Sequence, residues 1–354
     1  MHGQFTWYEL TTPDVEASKT FYPRFTGWGL QPFDADYTMF TNGPAPVAGI
    51  FRLSGDMQQQ GVPPNWMAYV EVNNVDATAQ QATSLGGKVL VGPADIPGTG
   101  RFAVVQDPQG ATIGLYRSSG ASQGWDGAAA LGRPSWHELM TDDYKKANDF
   151  YGALFGWKST GEMDMGGGSM YAMFGHEKVS FGGMYNRMKG MEGMPPFWLL
   201  YLHVKDVAQA IEAATKGGAK VIRPRMPIPG GTVAILSDPQ GAAFALHDAN
   251  AMPMPSAPSS APAAKAPAKK APAKKAAAKK AAAKKAKAPV KKAAKAPARK
   301  VAKKAAVKKV AKKAVKAVKK AARAVLKKVV KRAKPASKRT VKKATRAKPA
   351  KRRK

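Results

Sequence analysis

Two carboxylates stand out by their neighbours. Glu9 lies two residues after Trp7 and Glu138 two residues after Trp136, so on a strand each acid shares a face with its indole. A carboxyl against an indole wall loses hydration, its pKa rises, and it gains the means to exchange a proton near neutral pH. The competing reading is structural: each Glu accepts a hydrogen bond from a buried tyrosine or backbone group and holds its strand in place. The same alternation aligns Met67, Tyr69 and Glu71, and again Leu199, Tyr201 and His203, while Tyr116 and His247 fall at matching places further on. Tyr69 and Tyr201 are candidate hydroxyl donors to a ligand, and His203 and His247 candidate proton carriers. Strand aromatics and histidines also serve as plain packing. His137, directly after Trp136, points to the opposite face and reads as structural or exposed. His2 and His176 stand in no motif. Cysteine is absent, which removes disulfides, thiolate metal sites and Cys nucleophiles. The run Gly166-Gly167-Gly168 has no strand before it and no Lys-Ser/Thr after it, so it reads as a hairpin turn and not a phosphate loop.

The elements that carry these residues occur twice. Trp7, Glu9 and Leu10 return as Trp136, Glu138 and Leu139; Phe21-Tyr22 as Phe150-Tyr151; Gly27-Trp28 as Gly156-Trp157. Pro63-Pro64-Asn65-Trp66 returns as Pro195-Pro196-Phe197-Trp198, and Asp107-Pro108-Gln109-Gly110 returns unchanged as Asp238-Pro239-Gln240-Gly241. Such agreement in one register marks a tandem duplication. Domains are expected at 1–119 and 133–248, with a Gly/Ser/Ala-rich linker at 120–132. Within the first, Phe5–Leu10 reads as a strand, and Asp14 caps a helix that Pro23 kinks or shortens and Gly27 ends. Strands follow at Trp28–Phe33, Tyr37–Thr41 and Val47–Phe51. The order then begins again: strand Met67–Val72, helix Asp76–Leu85 stopped by Gly86-Gly87, and strands Lys88–Val91, Arg101–Gln106 and Ala111–Arg117. The last two are joined by the Asp-Pro-Gln-Gly turn. Each domain is βαβββ written twice, an α+β arrangement.

That order, with Asp14 before Phe21-Tyr22, a mid-domain helix running into Gly-Gly-Lys-Val and a closing Asp-Pro-Gln-Gly hairpin, resembles the vicinal oxygen chelate superfamily, the group of glyoxalases, bleomycin-resistance proteins and extradiol dioxygenases. The resemblance spans nearly all of residues 4–248. It implies a cup-shaped sheet in each domain, lined by inward-facing strand residues, with a divalent ion on His, Gln or Glu at the bottom in metal-using members. By that likeness the ligand places fall on Trp7, Met67 and Gly114 in the first domain and on Trp136, Leu199 and Ala245 in the second. Indole, thioether and alkyl groups are no ligands for such an ion, so neither a metal nor another cofactor is expected. Glu9 and Glu138 become the candidate catalytic residues. Trp7, Tyr69, Glu71, Tyr116, Trp136, Tyr201, His203 and His247 are the candidate ligand-binding set. The Met-rich stretch Met184–Met194 is either a lip over the second cup or loop filler.

The remainder is a different kind of chain. Of 58 Lys and Arg, 40 lie after Asn250, in a segment with no acid and no aromatic residue, and residues 1–250 hold 18 basic against 23 acidic residues. The formal charge of +35 thus combines a slightly acidic body with a strongly cationic tail, 249–354. Built of Ala, Lys, Pro and Val, the tail cannot bury enough apolar surface to offset its ordering entropy and is expected to be disordered, or helical once neutralised. It resembles the C-terminal tails of linker histones and the lysine-rich tails of some bacterial proteins. Lys269, Lys270, Lys312, Lys313, Lys327, Lys328, Arg332, Arg352 and Arg353 are representative candidate phosphate contacts. With no aromatic to stack on bases and, beyond Asn250, no Asn or Gln to read their edges, binding to DNA or RNA is expected to be sequence-nonspecific.

The first ten residues show no basic stretch followed by an apolar run, and no segment is long and apolar enough to span a membrane, so a cytoplasmic, nucleoid-associated protein is expected. The preferred reading is a metal-independent tandem that binds or transforms a small molecule and is tethered to nucleic acid by its tail. The alternatives are a non-enzymatic interaction platform with degenerate cups, able to form a homodimer beside DNA, and a metal-dependent lyase or dioxygenase.

Overall fold

The computed structural model describes residues 1–120 and 130–250. Most of the expected linker and all the tail contacts lie outside them. The first repeat runs β1 (Phe5–Thr12), α1 (Val15–Phe21), α2 (Pro23–Thr26), β2 (Gly29–Pro32), β3 (Tyr37–Asn42), β4 (Ala45–Arg52), α3 (Gly55–Gln59), β5 (Asn65–Glu71), α4 (Val75–Ser84), β6 (Lys88–Ile96), β7 (Gly100–Gln106) and β8 (Thr112–Ser118). The second runs β9 (Pro134–Thr141), α5 (Tyr144–Phe155), β10 (Lys158–Asp164), β11 (Met170–His176), β12 (Val179–Asn186), β13 (Phe197–His203), α6 (Val207–Lys216), β14 (Lys220–Ile228), β15 (Gly231–Ser237) and β16 (Ala243–Asp248). Each repeat forms one eight-stranded sheet, in the orders β2-β3-β4-β1-β5-β8-β7-β6 and β10-β11-β12-β9-β13-β16-β15-β14. The two βαβββ halves of a sheet meet where β1 runs antiparallel to β5, and β9 to β13.

Local chemistry explains the boundaries. Asp14 and Asp143 cap their helices through side-chain oxygens on the first-turn amides, and Asn74 and Asp206 do the same for α4 and α6. Pro23 ends α1 and restarts the chain as the first residue of α2, while the second copy, with Gly152 in the corresponding turn, is one continuous helix. Two features exceed the sequence expectation. Ser54 caps the extra turn α3, and β6 and β14 run on past two bulges, to Ile96 and Ile228.

Alternation then sends the two faces of each sheet to different places. Tyr8, Leu10, Trp66, Ala68 and Val70 of one repeat, and Leu139, Trp198, Leu200 and Leu202 of the other, join a single apolar cluster that runs through both repeats. Within it α2 packs on α6 and α4 on α5. The polar bonds across this core are duplicated. Tyr22 donates to Asp238 Oδ2 at 2.9 Å and accepts from Trp66 Nε1 at 2.9 Å. Tyr151 donates to Asp107 Oδ2 at 3.0 Å and accepts from Trp198 Nε1 at 3.2 Å. The other carboxylate oxygen of Asp107 accepts the amides of Gln109, Gly110 and Ala111, and that of Asp238 those of Gln240 and Ala242. Each Asp-Pro-Gln-Gly turn is therefore docked on the opposite repeat. Trp28 donates to the Gly132 carbonyl at 2.7 Å and Trp157 to the Gly3 carbonyl at 2.6 Å.

Tyr22→Phe removes one buried hydroxyl and strands both Asp238 Oδ2 and Trp66 Nε1, so it is expected to lower the stability of the body by about 1–3 kcal/mol. Tyr151→Phe should cost a similar amount. Thermal or urea melts of the two variants and of Tyr22→Phe with Asp238→Asn check this, the pair costing less than the sum of its parts.

Candidate functional site

The opposite faces of the sheets form the cups. In the first, β1 presents Trp7 and Glu9, β5 presents Met67 and Tyr69, and register sets Trp7 opposite Tyr69 and Glu9 opposite Met67. Glu9 Oε2 accepts the Tyr69 hydroxyl at 2.6 Å, and Oε1 accepts that of Tyr37 at 2.8 Å, while Trp7 Nε1 donates to Tyr37 at 2.9 Å. The second cup repeats the constellation. Glu138 Oε2 accepts from Tyr201 at 2.9 Å and Tyr171 at 3.1 Å, Trp136 Nε1 donates to Tyr171 at 2.6 Å, and Tyr185 also bonds Glu138. Tyr37 and Tyr171 reach across the sheet because Gly49 and Gly183 stand beneath their rings; a Cβ at either place would overlap the tyrosine. Burial raises the pKa of both carboxyls, and the hydrogen bonds from Tyr69, Tyr37 and Trp7, or from Tyr201 and Tyr171, pull it part of the way back. Burial likewise raises all five tyrosines, and the adjacent Glu raises them further. The floor of each cup is thus a carboxyl poised toward its neutral form in a ring of neutral hydroxyls.

Of the candidate residues, Trp7, Glu9 and Tyr69 come together, as do Trp136, Glu138 and Tyr201. Glu71 does not join them. It is buried at the end of β5, where its carboxylate takes the Ser118 amide at 3.3 Å and the Arg117 guanidinium at 3.4 Å. Tyr116 sits beside Glu71 in register but spends its hydroxyl on the Thr99 carbonyl at 2.9 Å. The matching places of the second cup hold His203 and His247, stacked with ring centroids 5.4 Å apart, and His247 Nδ1 lies 3.1 Å from Ser135 Oγ. Burial lowers the His247 pKa, and the His203 charge lowers it further. His137 is not exposed. It is enclosed in the core between the repeats, stacked on Phe5 at 3.5 Å and 2.8 Å from the Tyr8 hydroxyl, and burial pulls its pKa down to about 3. His2 and His176 line an open cleft of about 390 Å³ with Gln4 and Glu177, away from both cups. Sequence reasoning missed Tyr37, Tyr171 and Tyr185. The first two lie at the start of the third strand of each repeat, Tyr37 first in β3 and Tyr171 second in β11, so their recurrence was the available signal. Tyr185 has no counterpart in the first cup, where Phe51 stands opposite Tyr37.

A divalent ion does not suit these floors. The expected ligand places do not share one row: Trp7 and Gly114 flank Tyr69, and Trp136 and Ala245 flank Tyr201, whereas Met67 and Leu199 lie opposite Glu9 and Glu138. The register thus shifts these last two places by two residues, and none of the expected places bears a ready ligand for such an ion. The nearest carboxyl in each cup is already engaged by tyrosine hydroxyls. Among the described residues, no three His, Asp or Glu side chains come together as a metal would require.

Comparison with known proteins accounts for the duplicated cups. The profile of the Glyoxalase/Bleomycin resistance protein/Dioxygenase superfamily matches residues 4–115 and again 133–246. The chain belongs to this superfamily. It is 32% identical over 253 residues to CFP32 of Mycobacterium tuberculosis, a protein with a provisional glyoxylase name, covering 69% of this chain and 94% of that protein. It is 30% identical over 259 residues to the anthracycline biosynthesis protein DauV of Streptomyces sp. strain C5, covering 69% and 92%. Both lengths correspond to the body without the tail. Among solved structures, 2,2',3-trihydroxybiphenyl 1,2-dioxygenase of Sphingomonas wittichii matches with a TM-score of 0.51 at 15% identity, over 70% of this chain and 91% of that one, a likeness of fold alone.

The raised carboxyls carry a sign. Below about 4.5, the ordinary Glu value, Glu9 is protonated folded or unfolded. As pH rises past it the unfolded chain releases the proton first, so the stability Glu9 contributes is present at low pH and lost as pH climbs through its folded pKa. Glu9→Gln, which mimics the neutral acid, should flatten that decline. Melting temperatures of the two proteins between pH 4 and 8 should converge at the acid end and separate toward the alkaline end, with the variant higher.

Proposed function

We propose that the body binds a small molecule in its cups without the help of a divalent ion, and that the tail holds the protein on nucleic acid. The observation that carries the first half is the duplicated Trp–Tyr–Glu–Tyr cluster. A buried acid ringed by tyrosine hydroxyls is a switchable set of donors and acceptors under aromatic walls, suited to orienting the oxygens of a bound organic molecule. In this reading Glu9 and Glu138 accept or donate a proton at the ligand, while Trp7, Tyr69, Trp136 and Tyr201 bind it and hold the carboxyl in position. The names of CFP32 and DauV are consistent with small-molecule chemistry and leave the substrate open. A second reading, a platform with degenerate cups, draws on the way the floors fill themselves. Tyr69 and Tyr201 are only 6% and 7% exposed, so a ligand would have to displace these rings or lie above them.

The tail's part rests on its 40 cations and lack of acids. Phosphate contacts of this kind release counterions, so affinity should fall by roughly 10³ to 10⁵ between 50 and 200 mM salt if about 6–10 phosphates are neutralised.

Two measurements test the proposal. Dialysed protein is expected to carry no stoichiometric Zn, Fe, Mn or Ni, and elemental analysis finding about one ion per cup would overturn the metal-free mechanism. In a salt-titrated gel shift on two unrelated duplexes, the full chain should bind both alike and a chain ending at residue 250 should bind neither. Equal binding by the two proteins would refute the tether.

A further inference from the structure

The two cups are built alike at the floor and differently at the wall. Arg223 of β14 lies opposite Ile235 of β15, and facing residues on paired strands project to the same side. Ile235 packs against the cup cluster of Leu199, Tyr201, Val233 and Ala245, so Arg223 stands on the cup side of its strand. It is half-buried, and its charge reaches both Glu138 and Tyr185. Yet among the described residues it makes no ion pair or hydrogen bond through its side chain. Arg101, Arg117 and Arg187, by contrast, each hold a carboxylate. In the first cup Val91 takes this place, opposite Val104, and the acid Glu71 stands where the second cup has His203.

A guanidinium is always charged and offers parallel N–H groups matched to the two oxygens of a carboxylate. Left half-buried and unpaired beside apolar walls, it costs desolvation energy that a bound anion would repay. Resting on the reading that the cups bind small molecules, we propose that the second cup selects a carboxylate on an apolar or aromatic frame, with Arg223 as the specificity-determining residue, and that the first cup takes uncharged molecules. The apolar frame lies along Val233, Ile235, Ile228 and Phe197. The carboxylate meets Arg223, and the Glu138–tyrosine ring faces the ligand from the floor. Burial favours the neutral form of Glu138, which lessens its repulsion of an incoming anion and its claim on the guanidinium.

The test is isothermal titration of the full chain with a panel of carboxylates and their amides: benzoate and benzamide, salicylate and salicylamide, phenylacetate and phenylacetamide. The tail is common to every variant, so differences among variants belong to the cup. Arg223→Met is expected to weaken the carboxylates tenfold or more and to change the amides less than twofold. Arg223→Lys should retain part of the carboxylate affinity, and Val91→Arg should add a second carboxylate site. Melting curves matching the parent protein establish that each variant is folded; should Arg223→Met fail that check, Arg223→Lys and Val91→Arg decide. Carboxylate binding unmoved by Arg223→Met in a folded protein overturns the inference, and so does equal affinity for acids and amides. If the amides still bind and Tyr201→Phe weakens them, the small-molecule reading survives that loss. No binding of any panel member beyond what the tail alone provides overturns both.

Discussion

A tyrosine hydroxyl buried in one repeat must find an acceptor, and in this protein the acceptor belongs to the other repeat. Tyr22 reaches Asp238 and Tyr151 reaches Asp107, and each aspartate simultaneously ties up the amides of its own turn. Neither half can shift within the shared core without parting two buried tyrosine hydroxyls from their carboxylates, a cost of two charge-assisted hydrogen bonds at once. The placement of both cups follows from this. With the helices held between the repeats and one face of each sheet spent on the shared core, the other face is left to form the concave wall.

That division of faces sets the chemistry. Each floor carries one carboxyl, held by tyrosine hydroxyl donors. Hydrogen bonds to a carboxylate can partly offset its burial without cancelling it, so both Glu9 and Glu138 sit above the ordinary range. Glycine is part of the design where it lets an aromatic ring lie flat on the sheet, at Gly49 and Gly183. The walls are not tied into the hydrogen-bond cluster that binds each floor together. There the copies diverge, with Arg223 and the stacked His203 and His247 on one side and Val91, Glu71 and Tyr116 on the other.

Much of this was legible in the sequence for a definite physical reason. Strand and helix periods place residues on faces without reference to the rest of the fold, so the pairing of Trp7 with Glu9, the capping by Asp14 and the break at Pro23 could be read directly. Duplication did the rest, because residues that recur in register mark the same structural place twice. The strongest matches, Phe21-Tyr22, Gly27-Trp28 and Asp-Pro-Gln-Gly, proved to be the residues that bridge the repeats.

What the sequence could not determine is where those side chains end. Tyr37 lies 28 residues from Glu9 and Tyr69 lies 60 away, and only the strand order β3-β4-β1-β5 brings both hydroxyls to one carboxyl. His137 was correctly turned from the cup by alternation, but its enclosure against Phe5 and Tyr8 depends on the opposite repeat closing over it. Glu71 shares a strand face with Tyr69 yet is drawn to Ser118 and Arg117 at the sheet's end. The sequence by itself determined the elements, their duplication, the face each residue occupies and the charge of the tail, because these depend on neighbours along the chain. The tertiary structure alone decided which distant hydroxyls meet which carboxyl, and that Arg223 reaches the second cup without a carboxylate bound to it among the described residues, because those depend on strands brought together from across the fold.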